Sequence, residues 1–223
     1  PPPPPPPPPP TPPPPRLDSS AASDVYKRQI VISGCLGPRG DGYNPSELLS
    51  PQQAEAYHAE QIETFRNTEA DMVCAITMTH ADEAIGIVRA ATRAGMPVAV
   101  SFTVETDGCL PTGQSIREAI EITDAETDNA PVYYMINCAH PTHFQGALET
   151  SESWVNRIYG IRANASTCSH AELDAADELD DGDPQALGAQ YRELRKLLNS
   201  LNVLGGCCGT DHRHIAAICN ACV

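Results

Sequence analysis

Gly205-Gly206-Cys207-Cys208-Gly209-Thr210, near the end of the 223-residue chain, sets two adjacent cysteines between glycines. Adjacent cysteines rarely bond to each other, because the small ring that they would close is strained. Two adjacent thiolates can both reach one metal ion if the backbone turns sharply, and glycine permits such a turn. Taken alone, the stretch indicates a metal or redox site.

A repeated plan of short apolar segment, polar loop and amphipathic helix leads up to this stretch. The predicted strands are 30–33, 72–77, 97–103, 132–136, 157–161 and 202–204. Helix start signals stand at Ser50-Pro51, Ser115, Ser169 and Asp183-Pro184, and Gly95 is a stop signal. Strands that alternate with helices predict a parallel α/β sheet. Six units are visible, which slightly favours an open doubly wound sheet, because a closed barrel needs two more.

The first 29 residues differ in composition from the rest of the chain. Fourteen of the first fifteen are proline, which is typical of polyproline II or disorder. Residues 16–29 have no clean helix or strand period and resemble a translated cloning or sequencing linker, with a natural proline-rich linker as the alternative. We therefore exclude 1–29 from the fold and assign one domain to 30–223, which is long enough for a sizeable core.

Charge and cysteine content narrow the class of protein. The net charge of −15 predicts that the chain does not bind nucleic acid, because an acidic surface repels phosphate. No apolar run approaches the roughly 20 residues that cross a bilayer, so we expect no membrane partner. The nine cysteines are an odd number in a chain with a conventional core. This pattern favours a reduced, cytoplasmic protein that uses some thiols for metal over a disulfide framework.

The loops that follow the predicted strands hold most of the glycine, cysteine and histidine. Cys138 follows one strand, and Cys207 and Cys208 follow another. Strand ends of a parallel sheet meet at one edge, so three thiolates can share one ion and leave a position open. An open position is typical of catalytic zinc, whereas four closed ligands are structural. The open position can take a substrate thiol, whose pKa zinc lowers.

Two alternatives involve the remaining cysteines and the histidines. Cys219-x-x-Cys222 could join Cys207 and Cys208 in a closed site of four thiolates, although its predicted helix favours core packing. His140 and His143 are candidates for metal ligands, a general base or groups that support the ligands, and they could instead cap the next helix.

The cysteine stretch at 205–210, together with Asn137-Cys138, resembles the two signature segments of the homocysteine S-methyltransferase family. The adjoining stretches agree: Ser33-Gly34 with Gly37-Pro38, Ser101–Thr103 with Asp107-Gly108 and Gly113, and Asp211–Ile215. The resemblance covers about residues 30–223. Members of that family are (β/α)8 barrels that bind zinc through three cysteines. The resemblance gives those roles to Cys138, Cys207 and Cys208.

The resemblance also implies an architecture and an activity. Family members have two βα units before the one that begins here at Ile30, so we expect an incomplete (β/α)8 TIM barrel with about six of eight units. We expect zinc-dependent transfer of a methyl group from a sulfonium or ammonium donor to a small-molecule thiol, with homocysteine as acceptor and methionine as product. The alternatives are a non-catalytic zinc-binding barrel and an inactive fragment.

One position departs from the family pattern. Family members commonly carry a glutamate at the end of the fourth barrel strand, where it helps to hold the amino group of homocysteine. Ile76 occupies that position here. Glu105, just past the next strand, is the candidate to supply the carboxylate instead.

Overall fold

The computed structural model describes residues 30–222, and its main folded unit begins at Ile32. The strands are β1 (Ser33–Leu36), β2 (Met72–Met78), β3 (Val98–Phe102), β4 (Tyr133–Asn137), β5 (Ile158–Ala163) and β6 (Val203–Gly206). The helices are α1 (Pro51–Arg66), α2 (Ala81–Ala94), α3 (Ile116–Glu126), α4 (Pro141–Leu148), α5 (His170–Asp174), α6 (Pro184–Leu197) and α7 (His212–Cys222). A 3-10 helix, Ser153–Arg157, precedes β5. The assignment of 1–29 to a linker lies outside the described residues.

The six strands form one parallel sheet in the order β1-β2-β3-β4-β5-β6. Each strand pairs with the next one along the chain, and helices cover the connections. A doubly wound sheet reverses its strand order at a switch point, whereas a (β/α)8 barrel adds each strand on the same side. The fold is therefore a curled part of a (β/α)8 barrel with six βα units, as the resemblance implies, and the open-sheet alternative is wrong.

Most strands lie one to three residues nearer the carboxyl terminus than the apolar runs predict. β1 begins at Ser33, where the predicted strand ends, because pairing with Met72 sets the register. β6 extends through Gly205 and Gly206, which pair with Arg162 and Ala163. The apolar run marks buried side chains, while the strand length follows the hydrogen-bonded neighbour. The shift places Cys138 and Cys207 directly after the ends of β4 and β6.

The predicted helix boundaries are confirmed at their capping residues. Ser50, Ser115 and Ser169 each form a reciprocal capping box, and the Asp183 side chain accepts hydrogen bonds from the first turn of α6. Gly95 closes α2 with φ of 71°. These signals are local, so the sequence alone can predict them.

Apolar side chains pack on both faces of the sheet. The larger cluster lies between the strands and the helices, and a smaller one, formed by Met72, Cys74, Ala99 and Met135, lies on the opposite, inner face. Ile76 packs against the smaller cluster and is partly buried. Within residues 30–222, no helix has the length and apolar character that a bilayer span requires.

Tyr191 of α6 fixes the ends of β5 and β6 on the side where the cysteines lie. Its buried hydroxyl accepts a hydrogen bond from Ala163 N at 2.9 Å and lies 2.5 Å from Gly205 O, to which it can donate. A helix outside the sheet therefore holds the strand end that leads into Cys207.

Candidate metal centre

The structure brings Cys138, Cys207 and Cys208 together, with sulfur atoms that all lie within 4.8 Å of one another. The Cα atoms of Cys138 and Cys207 are 5.4 Å apart, and their sulfur atoms are joined as a disulfide. Among the described residues, this is the only group of three or more histidines, cysteines or carboxylates that could hold one ion. The sequence pattern predicts that these three cysteines lie at one edge of the sheet, and the structure brings their thiol groups together there.

Asn137, the last residue of β4, fixes the backbone on which Cys138 stands. Its side chain accepts hydrogen bonds from Thr77 N at 2.9 Å and Ser101 Oγ at 2.6 Å, and it donates to Thr77 Oγ1 at 2.8 Å. Thr77 and Cys138 both have left-handed backbones, with φ of 60° and 53°. Such conformations are strained for residues other than glycine and persist where the surroundings enforce them.

Asn164 plays a similar part for the vicinal pair. Its side-chain oxygen accepts a hydrogen bond from Cys208 N at 3.1 Å, and Cys207 N donates to Ala163 O at 2.8 Å. Thr210 Oγ1 then closes the turn by donating to Cys207 O at 2.7 Å. Gly209 has φ of 75°, a conformation that suits glycine. The backbone between β6 and α7 therefore turns sharply enough for Cys207 and Cys208 to approach one point.

The donor set suits zinc. Three thiolates at the ends of β4 and β6 match the ligands and the open geometry that zinc accepts in catalytic sites. The disulfide between Cys138 and Cys207 is the two-electron oxidised form of two of the same thiols. Zinc binding requires these thiols to be reduced and deprotonated. Cys208 is free and exposed.

The closed four-thiolate alternative is wrong for the described residues. Cys219 and Cys222 lie on α7 as predicted, but neither belongs to the cluster of three. Cys222 is buried in the core, whereas Cys219 is exposed, so the expectation of core packing holds for Cys222 alone.

His140 and His143, which follow Cys138, form hydrogen bonds with different parts of the protein. His140 is buried and caps α4, because its Nδ1 accepts a hydrogen bond from Thr142 N at 3.4 Å. Burial, with a smaller effect from His143, lowers the pKa of His140 to about 4. The Nε2 atom of His143 donates to Thr167 O at 2.9 Å. Of the roles considered, the structure shows helix capping for His140.

A cavity of about 880 Å³ adjoins the cluster, and Cys208 forms part of its wall. Six carboxylates line it: Asp41, Glu105, Asp174, Asp177, Glu178 and Asp180. Hydrogen bonds from Tyr43 N and Asn44 N lower the pKa of Asp41. The Ser166 hydroxyl and Gly182 N do the same for Asp180. No lysine or arginine is among the lining residues, so the wall is strongly negative at neutral pH.

Three side chains that are distant in sequence, Tyr43, Glu105 and His170, meet where the cavity borders the cysteines. The Nδ1 atom of His170 lies 3.0 Å from Glu105 Oε1, and its Nε2 donates to Cys138 O at 2.5 Å. The Tyr43 ring packs on the His170 ring with centroids 4.0 Å apart. Burial, with smaller effects from Cys208, Asp41 and Glu105, raises the pKa of Tyr43 to about 12. Sequence patterning singled out Glu105 but missed the contact, which joins residues 65 positions apart.

The six parallel βα units, with a ligand-sized cavity at the carboxyl ends of the strands, place this protein in the (β/α)8-barrel class. The family model for homocysteine S-methyltransferase matches residues 16–222. The chain belongs to that family. No curated protein sequence matches it.

Solved structures of the homocysteine methyltransferase MmuM from Escherichia coli share the fold. The metallated form is 20% identical with a TM-score of 0.64, covering 89% of this chain and 64% of its own. The apo form is 19% identical with a TM-score of 0.64, covering 91% of this chain and 68% of its own. The oxidised form is 19% identical with a TM-score of 0.67, covering 90% of this chain and 65% of its own. The chain thus spans about two thirds of the length of these structures.

Proposed function

We propose that the protein is a zinc-dependent S-methyltransferase that moves a methyl group from a sulfonium or ammonium donor to homocysteine and forms methionine. The observation that carries this proposal is the cluster of three thiols, Cys138, Cys207 and Cys208, beside an acidic cavity. Family membership supports methyl transfer to homocysteine. A reducing compartment such as the cytoplasm suits the proposal, because the three thiols must stay reduced.

The three cysteines would hold zinc and leave its fourth position for the acceptor. Bound zinc supplies the chemistry that keeps a substrate thiol deprotonated at neutral pH. The thiolate sulfur attacks the donor methyl carbon, so a sulfur–carbon bond forms while the bond between the methyl group and its donor atom breaks. The electron pair of that bond stays with the donor, which leaves without its positive charge. The residues of the chain bind and align the two reactants.

The cavity wall supports a cationic donor. Its six carboxylates would attract a sulfonium or quaternary ammonium group and disfavour an anionic one. The Tyr43 ring adds an aromatic surface beside the cysteines, a kind of surface that favours such cations. Both features support a donor that would bind with its positive charge near Cys208, where the acceptor thiolate is expected.

We further propose that Glu105 binds the amino group of homocysteine in place of the family glutamate that Ile76 replaces. Glu105 lines the cavity, and its Oε1 atom is hydrogen-bonded to His170. The other oxygen, Oε2, makes no hydrogen bond within residues 30–222, so it is free to accept from an ammonium group. Ile76 is only partly buried on the inner face of the sheet and offers no polar atom.

Glu105→Gln tests this role, because glutamine can still form a hydrogen bond with His170 but carries no charge. Loss of one charged hydrogen bond costs about 1.5–3 kcal/mol, so we expect KM for homocysteine to rise roughly 10-fold to 100-fold. The matched control is Glu149→Gln at the exposed end of α4, outside the cavity. An unchanged KM for homocysteine would remove Glu105 from the proposal.

The activity itself is tested with the reduced 223-residue chain, loaded with zinc and mixed with homocysteine and S-methylmethionine. We expect methionine, measured by mass spectrometry, to form only when zinc is present. A chelated sample is the control. Chain that binds zinc but transfers no methyl group would support the non-catalytic alternative and contradict the proposed activity.

A further inference from the structure

We infer that His170 is a positioning residue for the metal centre: its imidazole holds the backbone of Cys138 in place. The inference rests on the proposed function for the identity of the ion. It assigns a role to a side chain that supplies no metal ligand of its own.

The contact with Cys138 is direct. The Nε2 atom of His170 donates to the carbonyl oxygen of Cys138 at 2.5 Å, and the Cys138 amide donates to Arg162 O at 3.0 Å. Both backbone polar groups of Cys138 are therefore hydrogen-bonded, one by a strand neighbour and one by the side chain at the start of α5. Because a carbonyl oxygen can only accept, this contact also fixes a proton on Nε2.

Cys138 needs such a restraint. Its φ of 53° is unusual for a residue with a Cβ atom, and a backbone of this kind persists only where its surroundings enforce it. The ligand sulfur points where it does because the backbone is held in that conformation. Loss of the His170 hydrogen bond would let the backbone relax toward ordinary φ values and carry the sulfur away from the shared point.

His170 is itself held on two sides. Its side chain is only 10% exposed, and Glu105 Oε1 lies 3.0 Å from its Nδ1 atom. The Tyr43 ring covers it at a centroid distance of 4.0 Å, with an angle of 35° between the rings. Because the imidazole is already fixed in this way, it loses little conformational freedom when it donates a hydrogen bond to Cys138. It can therefore restrain the Cys138 backbone effectively.

The Tyr43 side chain that packs on His170 lines the same cavity as Cys208. Replacing a residue that hydrogen-bonds to a metal ligand and orients it typically lowers metal affinity by about 10-fold to 100-fold.

The test measures metal binding in the reduced 223-residue chain, with cobalt(II) as the probe. Bound cobalt reports its ligands through thiolate-to-metal and d–d absorption bands, which a merely structural change elsewhere would not shift. We expect His170→Ala to weaken cobalt and zinc binding about 10-fold to 100-fold and to shift these bands. His170→Gln, whose amide can donate to Cys138 O, should recover most of the affinity.

His143→Ala is the matched control, since His143 also donates to a loop carbonyl, that of Thr167, but contacts none of the three cysteines. If His170→Ala fails to fold by circular dichroism, His170→Asn gives the same comparison, because asparagine is too short to reach Cys138 O. Unchanged affinity and bands in a folded His170 variant would overturn the inference alone. A wild-type chain that binds neither metal would overturn both the inference and the zinc site.

Discussion

Replacing Cys207 and Cys208 together with alanine is expected to reduce bound zinc from about one ion per reduced chain to almost none. Both residues lie in the cluster whose sulfur atoms are within 4.8 Å of one another, so the double variant keeps one thiol of three. One thiolate cannot hold zinc against water at micromolar concentration. Methyl transfer should disappear with the ion. Metal content by mass spectrometry and methionine formation measure the two effects.

Cys219→Ala is the control for this experiment. Cys219 is also free and exposed near the carboxyl end, but it lies on α7 outside the cluster. We expect this variant to bind zinc like the wild type. Stoichiometric zinc that persists in the Cys207→Ala, Cys208→Ala variant would contradict the site.

Gly209→Ala should disrupt the turn that carries the vicinal pair. Its φ of 75° costs a residue with a Cβ atom about 1–2 kcal/mol. The new Cβ atom would also lie 2.6 Å from Asp180 O, and such overpacking costs roughly 1–3 kcal/mol. We expect a loss of about 2–5 kcal/mol in unfolding free energy together with weaker zinc binding.

Gly113→Ala separates the two contributions. Gly113 has φ of 83°, but nothing lies within 4 Å of the position that its Cβ atom would occupy. This variant should lose only about 1–2 kcal/mol, with unchanged zinc binding. Chemical denaturation of both variants, with metal titrations alongside, makes the comparison. Equal losses in the two would show that the contact with Asp180 is unimportant.

The sequence predicts the elements of this fold better than their arrangement. Capping boxes at Ser50, Ser115 and Ser169 depend on four consecutive residues, so they can be identified without any tertiary contact. The choice between open sheet and barrel depends on strand order, which periodicity does not contain. The cysteine motif and the family resemblance provide it. Strand ends such as Gly205 and Gly206 depend on pairing and are displaced from the apolar run.

The candidate site likewise contains residues that the local sequence reveals and residues that only tertiary contacts reveal. Cys207 and Cys208 are recognisable because they are adjacent and surrounded by glycine. The pairing of His170 with Glu105 spans 65 residues, and the capping box around His170 predicts a helix start but not this contact. Asn164, which holds Cys208, belongs to a loop of small polar residues that gives no sign of its role. Contacts of this kind arise only when separate loops meet above the sheet.

The link between Cys138 and Cys207 has a consequence for the edge of the sheet. It joins the end of β4 to the end of β6, an edge strand of the described sheet, across a sequence separation of 69 residues. Closing a loop of that length removes about 4 kcal/mol of conformational entropy from the unfolded chain. A shared zinc ion would close the same loop as the disulfide does. The reduced, metal-free protein is then the form in which the edge strand is least restrained and most open to pairing with another chain.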